Sequence, residues 1–305
     1  MEVSNVRTQR AMPSPTVPRR ALFMLIALTL VWGTNWPLFP YAVREVSVWT
    51  FRAVAMLGAG LTLLLTARVR GESLVLPRKY WATVAAATFC YLVIWNIAST
   101  YAAILIPSGQ AAVLGFTMPL WAALISWALL GDRLSKRLML AMLLGGLGVA
   151  LLMVPAFGAY AKAPAGFALG LGAGIGWAVG TLILKRGNVQ VPVLVLTGWQ
   201  LLIGFVPIGI AALLLGDGHW FMPSWQSIAV IAWITVVPMS IGNVCWFAIV
   251  GLLPAQIAGL SSVMVPVVAM VTGAMVNAEP LGPLQLASMA MCVGGLVLAL
   301  GHKNK

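Results

Sequence analysis

The sequence predicts an all-α polytopic membrane protein of ten transmembrane helices, built as two inverted-topology five-helix repeats. Three observations carry that expectation. The 305-residue chain is 61% hydrophobic and 8% charged, with a mean hydropathy of +1.00, whereas globular proteins are on average about 25% charged. Its apolar stretches run to about 20 residues, the length that crosses a bilayer core, and a backbone in lipid must satisfy its own hydrogen bonds. Landmark residues also recur at a constant offset of 147 between Tyr91–Asp132 and Pro238–Glu279: Asn96 with Asn243, Pro107 with Pro254, Ala111 with Ala258, Pro119 with Pro266, and Asp132 with Glu279. Five helices per copy is an odd number, so the second copy must cross in the opposite sense, an architecture common among secondary transporters.

Residues 1–18 carry three prolines and no apolar period, which reads as a disordered cytoplasmic tail. The first helix, Ala21–Tyr41, follows Arg19 and Arg20. It is too long for a signal peptide, lacks a small-residue cleavage site and contains Trp32, Asn35, Trp36 and Pro37, so it reads as retained. The second, Val48–Ala67, holds Arg52. The third, Trp81–Tyr101, holds Asn96, Ser99 and Thr100, and the fourth, Pro107–Leu130, has Pro119 near its middle. The fifth, Leu138–Ala156, closes a first repeat of residues 19–157, and a Gly/Ala/Pro linker at 158–163 leads to the second repeat, 164–305, which ends in a short cytoplasmic tail. The sixth helix, Gly166–Leu184, and the seventh, Val193–Leu215, are nearly free of charge. The eighth, Trp225–Val250, holds Ser240 and Asn243. The ninth, Pro254–Val276, holds Pro266, and Pro283–Gly301 is the tenth.

The net charge of +12 is distributed as an orientation signal. With the N-terminus in the cytoplasm, fifteen lysines and arginines fall on the cytoplasmic side and two, Arg44 and Lys162, fall outside. This asymmetry excludes a nucleic-acid partner and leaves membrane lipid as the partner of the basic residues. Cys90, Cys245 and Cys292 lie within predicted helices without metal-site spacing, so no metal and no disulfide framework is expected. Gly170, Gly172, Gly174 and Gly176 follow no strand, so they read as a close-packing face rather than a nucleotide loop. No Walker-type loop is present, and no cofactor is expected.

Leu129-Leu130-Gly131-Asp132-Arg133-Leu134-Ser135 closes the stretch that begins at Pro107. It is repeated more loosely from Pro254 to Asn277-Ala278-Glu279-Pro280-Leu281. With Leu30-Val31-Trp32-Gly33-Thr34-Asn35-Trp36 in the first helix and Phe51-Arg52-Ala53 in the second, these motifs resemble the EamA family of the drug/metabolite transporter superfamily over nearly the whole chain. Within it the chain looks most like the YddG-type bacterial exporters. The resemblance implies export of amino acids, aromatic ones included, across the bacterial inner membrane. An integral-membrane lipid-modifying enzyme or a lipid flippase is the rival reading. The enzyme would need a base, nucleophile or metal cluster, whereas His219 and His302 are isolated and no carboxylate pair lies in a span.

Candidate substrate-binding residues are the polar and aromatic groups at membrane depth: Trp32, Asn35, Tyr91, Trp95, Asn96, Ser99, Trp177, Asn243 and Trp246. The asparagines suit either hydrogen-bonded glue between helices or a cavity wall. The tryptophans suit either ordinary packing or a stacking surface. Tyr91, Trp95 and Ser99, four apart, predict one helical face. Pro119 and Pro266 read as paired hinges or as static kinks. Arg52 reads as a structural charge with Glu45 as partner, or as an attractor of a substrate carboxylate near the outer mouth. No carboxylate or histidine lies mid-span, so a proton relay is not expected, and nothing in the sequence sets the oligomeric state. In intact spheroplasts, a membrane-impermeant thiol reagent is expected to label Ala159→Cys and Asp217→Cys variants. Labelling of Ser135→Cys from the outside would reverse the orientation.

Overall fold

A computed structural model describes residues 19–131, 136–217, 222–252, 264–278 and 281–300. The expected N-terminal tail lies outside the described residues, as do Asp132, His219, Trp220, Pro254, Ala258, Glu279 and His302. All regular structure among the described residues is helical. Seven helical runs are long and apolar enough to cross a bilayer, and shorter apolar stretches lie at Met139–Leu151, inside a longer helix, and at Met264–Asn277.

Four of the runs are composite. The first comprises α1 (Arg19–Gly33), a 3₁₀ turn (Trp36–Leu38) and α2 (Phe39–Ala42). Pro37 and Pro40 each fall in the first turn of the piece they open, where their missing N–H has no partner to lose. After α3 (Val48–Val69), the third run comprises a short 3₁₀ turn (Arg78–Tyr80), α4 (Trp81–Thr88), a π-helical segment (Phe89–Ile94) and α5 (Trp95–Leu105). The fourth breaks at Phe116 and Thr117 into α6 (Ser108–Gly115) and α7 (Met118–Leu130). Pro119 therefore does not sit mid-helix, as the sequence suggested, but opens a new helix. The Leu114 carbonyl at the break is closed by the Thr117 hydroxyl at 2.6 Å.

The linker expected at 158–163 is instead helical to its last residue. α8 spans Lys136–Lys162, and Ala163 alone separates it from α9 (Pro164–Arg186). The physical reason is local. Residues 156–162 contain three alanines and a single glycine, so they continue a helix. The residue before Pro164 is pushed out of the α region and stops it, with ψ of 66° at Ala163. α10 (Val193–Leu215) is followed by the eighth run, which comprises α11 (Trp225–Ile234), a second π segment (Thr235–Gly242) and α12 (Asn243–Leu252). α13 (Met264–Asn277), with Pro266 third in order, and α14 (Pro283–Leu300) complete the described chain.

Polarity is arranged inside out. Leu213, Val69 and Met275 are 80% exposed or more, whereas Gln200, Thr197, Thr88 and Thr100 are fully buried. This is the distribution expected when the surrounding solvent is hydrocarbon. α9 runs through the middle and approaches its neighbours on glycine. A Cβ at Gly176 would stand 2.7 Å from the Cys90 carbonyl, and one at Gly174 would stand 2.8 Å from that of Gly115. Gly170 meets Leu114 in the same way, while Gly172 points to open space and belongs to the other face.

Gly176→Ala must displace backbone, an overpacking cost of about 1–3 kcal/mol. Gly172→Ala meets nothing and gains helix propensity of roughly 0.5–1 kcal/mol. Thermal unfolding in detergent, followed by tryptophan fluorescence, is expected to shift down for the first and stay level or rise for the second.

Candidate functional site

The two π segments lie at equivalent places in the two repeats: the offset of 147 carries Phe89–Ile94 onto Val236–Ile241, inside Thr235–Gly242. A π turn spans i→i+5 and interrupts the regular α ladder. In each copy a side-chain amide bonds a carbonyl in the segment. Asn96 Nδ2 donates to the Leu92 carbonyl at 2.8 Å, and Asn243 Nδ2 donates to that of Met239 at 2.7 Å. Both donor and acceptor pairs are repeat mates. These amide bonds thus close the asparagines' own helices rather than bridge neighbouring ones.

Between the two segments lies a cavity of about 40 Å³, room for about three waters at roughly 10–15 Å³ each. Its wall contains Trp32, Asn35, Trp36 and Phe39 of the first run, Arg52 of α3, and Leu92, Trp95 and Asn96 of the third run. Phe116, Trp177 of α9, and Ile234, Pro238, Met239 and Asn243 of the eighth run complete it. The tryptophans form one cluster centred on Trp177. Its ring lies 4.8 Å from Trp95, 5.5 Å from Trp32 and 5.7 Å from Trp246, each in an edge-on arrangement. Such aromatic pairs are worth about 0.5–1.5 kcal/mol each beyond the area they bury. Trp32 also spans the two repeats, donating from Nε1 to the Pro238 carbonyl at 3.1 Å.

Of the nine candidate binding residues, six line this cavity: Trp32, Asn35, Trp95, Asn96, Trp177 and Asn243. Trp246 stands one layer behind, against Trp32 and Trp177. Tyr91 is buried between Trp177 and Phe247, and Ser99 is buried elsewhere on its helix. The expected common face of Tyr91, Trp95 and Ser99 loses Tyr91 for a physical reason, while Trp95 and Ser99 stay four apart on the regular helix α5. The wide turn between Tyr91 and Trp95 breaks the regular spacing on which the i, i+4 rule depends. Trp36, Phe39, Leu92, Phe116 and Met239 also belong to the wall, beyond the candidates that the sequence analysis names. Two signals could have found some of them: Trp36 follows Trp32 by four, and Leu92 and Met239 are repeat mates four residues before the asparagines. Pro119 is not part of the wall, and neither is Pro266.

Several polar atoms here are buried without partners, among them Asn35 Oδ1, Asn243 Oδ1, Trp177 Nε1 and Arg52 Nη2. The Glu45 partner expected for Arg52 is absent. Glu45 instead accepts from Ser224, from the backbone N–H at 2.7 Å and from the hydroxyl at 2.6 Å. These bonds, the hydroxyl's first, hold its carboxyl below the ordinary carboxylate value. The tie is therefore present at neutral pH and is lost as pH falls through the carboxylate range. Asp217 accepts from Ser47 N at 2.8 Å, a second link between the same two loop regions. No group of three or more metal-binding side chains occurs among the described residues.

The EamA-like transporter family matches this chain twice, at residues 19–154 and 164–301. The chain belongs to that family. Its relatives span nearly their full lengths. "Uncharacterized transporter YvbV" of Bacillus subtilis is 26% identical over 92% of this chain and 91% of its own. "Probable amino-acid metabolite efflux pump" of Salmonella typhimurium is 25% identical over 92% and 94%. "Uncharacterized inner membrane transporter YedA" of Escherichia coli K12 is 26% identical over 90% and 88%. A solved crystal structure superposes with a TM-score of 0.72 at 20% identity, covering 92% of this chain and 96% of its own, and so shares the fold. An all-helical, multi-pass membrane transporter of the EamA-like family, carrying the family unit twice, is the identity these matches establish.

Asn96→Ala and Asn243→Ala each remove a side-chain donor from a carbonyl of a π segment, although the Leu92 carbonyl keeps the Trp95 N–H; the net worth of one such bond is about 0.5–1.5 kcal/mol. Both variants, and Trp177→Ala, are expected to lower the unfolding temperature in detergent and to slow solute counterflow in liposomes. Leu213→Ala, on the lipid-facing surface, should change neither.

Proposed function

We propose that this EamA-like chain is a bacterial inner-membrane secondary transporter of ten transmembrane helices, with both termini cytoplasmic. It exports small neutral or zwitterionic metabolites, amino acids including aromatic ones, by alternating access. The observation that carries this reading is the tryptophan-walled cavity held between repeat-related π segments. Indole faces suit an apolar or aromatic side chain, and the free acceptors Asn35 Oδ1 and Asn243 Oδ1 suit an ammonium group. The name of the Salmonella typhimurium relative, a probable amino-acid metabolite efflux pump, supports the same substrate class.

With room for about three waters the cavity is smaller than a bulky amino acid such as phenylalanine, so on this reading its walls move to admit one. The π segments, with the break at Phe116 and Thr117, are the hinges on this reading. Pro119 sets where α7 begins, and Pro266, its repeat mate, is the corresponding hinge candidate in the second copy. Transport runs down the substrate gradient without an obligatory proton. Among the described residues the cavity wall holds no carboxylate or histidine, and Ser224 holds the Glu45 carboxyl below its ordinary value.

In proteoliposomes, labelled phenylalanine is expected to enter saturably and to be accelerated by unlabelled phenylalanine on the opposite side. Flux that never saturates and shows no counterflow would make the protein a pore. Accumulation against the phenylalanine gradient only under an imposed pH gradient, abolished by Glu45→Gln or Glu279→Gln, would overturn the uncoupled mechanism.

A further inference from the structure

Arg52 lies one turn into α3 and is 2% exposed. Its Nε donates to Thr100 Oγ1 at 2.7 Å, and that hydroxyl in turn donates to the Asn96 carbonyl at 2.6 Å. The guanidinium carbon lies 4.4 Å from the ring centre of Phe39 and 4.6 Å from that of Phe51. The head group is thus held from one side and flanked by aromatic rings, while Nη2 has no partner and the residue forms part of the cavity wall.

A guanidinium does not shed its proton in a protein, so burial leaves a full positive charge to be compensated. No carboxylate among the described residues does so. Glu45 is engaged by Ser224, and Asp217 accepts from Ser47. Glu72 lies beyond the far end of α3, about 30 Å from Arg52 at roughly 1.5 Å per residue. The aromatic rings offset only part of the charge. An arginine fork held through Nε presents its remaining N–H groups in the geometry that matches a carboxylate.

We propose that Arg52 is the carboxylate-binding group of the transport site, and that the substrates are amino acids recognised as zwitterions. The substrate carboxylate completes the charge balance at Nη2. Its ammonium group bonds Asn35 Oδ1 and Asn243 Oδ1, and its neutral side chain lies against Trp32, Trp95 and Trp177. This assignment rests on the transport reading above and adds a requirement to it. A solute lacking the carboxylate brings a positive charge, or none, to an uncompensated arginine, and is rejected.

The test uses the full chain in liposomes and three probes: phenylalanine, phenylalaninamide and phenethylamine. Native protein is expected to be inhibited by phenylalanine at concentrations about tenfold below those needed for either analogue, the scale of one lost charge-assisted hydrogen bond. Arg52→Gln should raise the phenylalanine KM about tenfold and erase the discrimination between the acid and its amide. Arg52→Lys should fall between. Native protein that accepts phenylalaninamide as well as phenylalanine overturns the inference while leaving transport intact, and so does Arg52→Gln with unchanged KM and selectivity. Native protein that carries no amino acid overturns the transport reading and this inference with it. Should Arg52→Gln not assemble, ligand-induced thermal stabilisation of the native protein decides. Stabilisation by phenylalanine but not by the amide supports the assignment, and equal stabilisation by both refutes it.

Discussion

Two side-chain amides bonded to two carbonyls organise the centre of this molecule. In hydrocarbon there is no water to hydrogen-bond an exposed peptide group, so each interruption of a helical ladder must be repaired by the protein itself. The π segments in the third and eighth runs are such interruptions, and Asn96 and Asn243 bond to the Leu92 and Met239 carbonyls within them. The repair places polar residues at membrane depth on the inner side of both helices. It also leaves Asn243 Oδ1 unpartnered at the cavity.

The aromatic cluster follows from that opening. A wide turn makes room beside the helix axis, and the space is occupied by indole rings that pack edge to face around Trp177. Rings are suited to this place because they fill volume without adding charge while keeping faces on which a flat or aliphatic group can stack. The glycines of α9 serve the same end. Gly174, Gly176 and Gly180 let that helix approach the Gly115, Cys90 and Ala87 carbonyls closely enough to bring Trp177 into the centre.

The two repeats are held to one another at separate levels. At membrane depth, Trp32 donates to the Pro238 carbonyl. At the end where α3 begins, Glu45 bonds Ser224 and Asp217 bonds Ser47. Further bonds join the halves, from Trp199 to the Leu74 carbonyl, from Ser288 to the Gly148 carbonyl and from Thr272 to the Gly33 carbonyl, so a rocking motion has to exchange or carry along a small set of discrete contacts. That is the economy expected of a carrier with a fixed central site.

Much of this was legible in residue order alone. The apolar runs, the repeat at 147 and the family motifs are properties of local composition and spacing, and bilayer thickness converts them into helices with little ambiguity. The pairing of Asn96 with Asn243 and the depth of Trp32, Trp95 and Trp177 were equally visible, because symmetry and distance from the span ends can be counted. Tertiary structure decided what counting assumes. An i, i+4 face presupposes a regular helix, and the π turn between Tyr91 and Trp95 removed that regularity. A proline signals a lost donor, but whether Pro119 kinks a helix or opens one depends on the bonds Thr117 makes. The partner of Arg52 was the clearest case. Proximity in sequence suggested Glu45, yet Ser224, which is 179 residues away from Glu45, takes that carboxylate in the fold and leaves the arginine facing the cavity. Long-range competition for a hydrogen bond is set by three-dimensional contact, which no one-dimensional pattern contains.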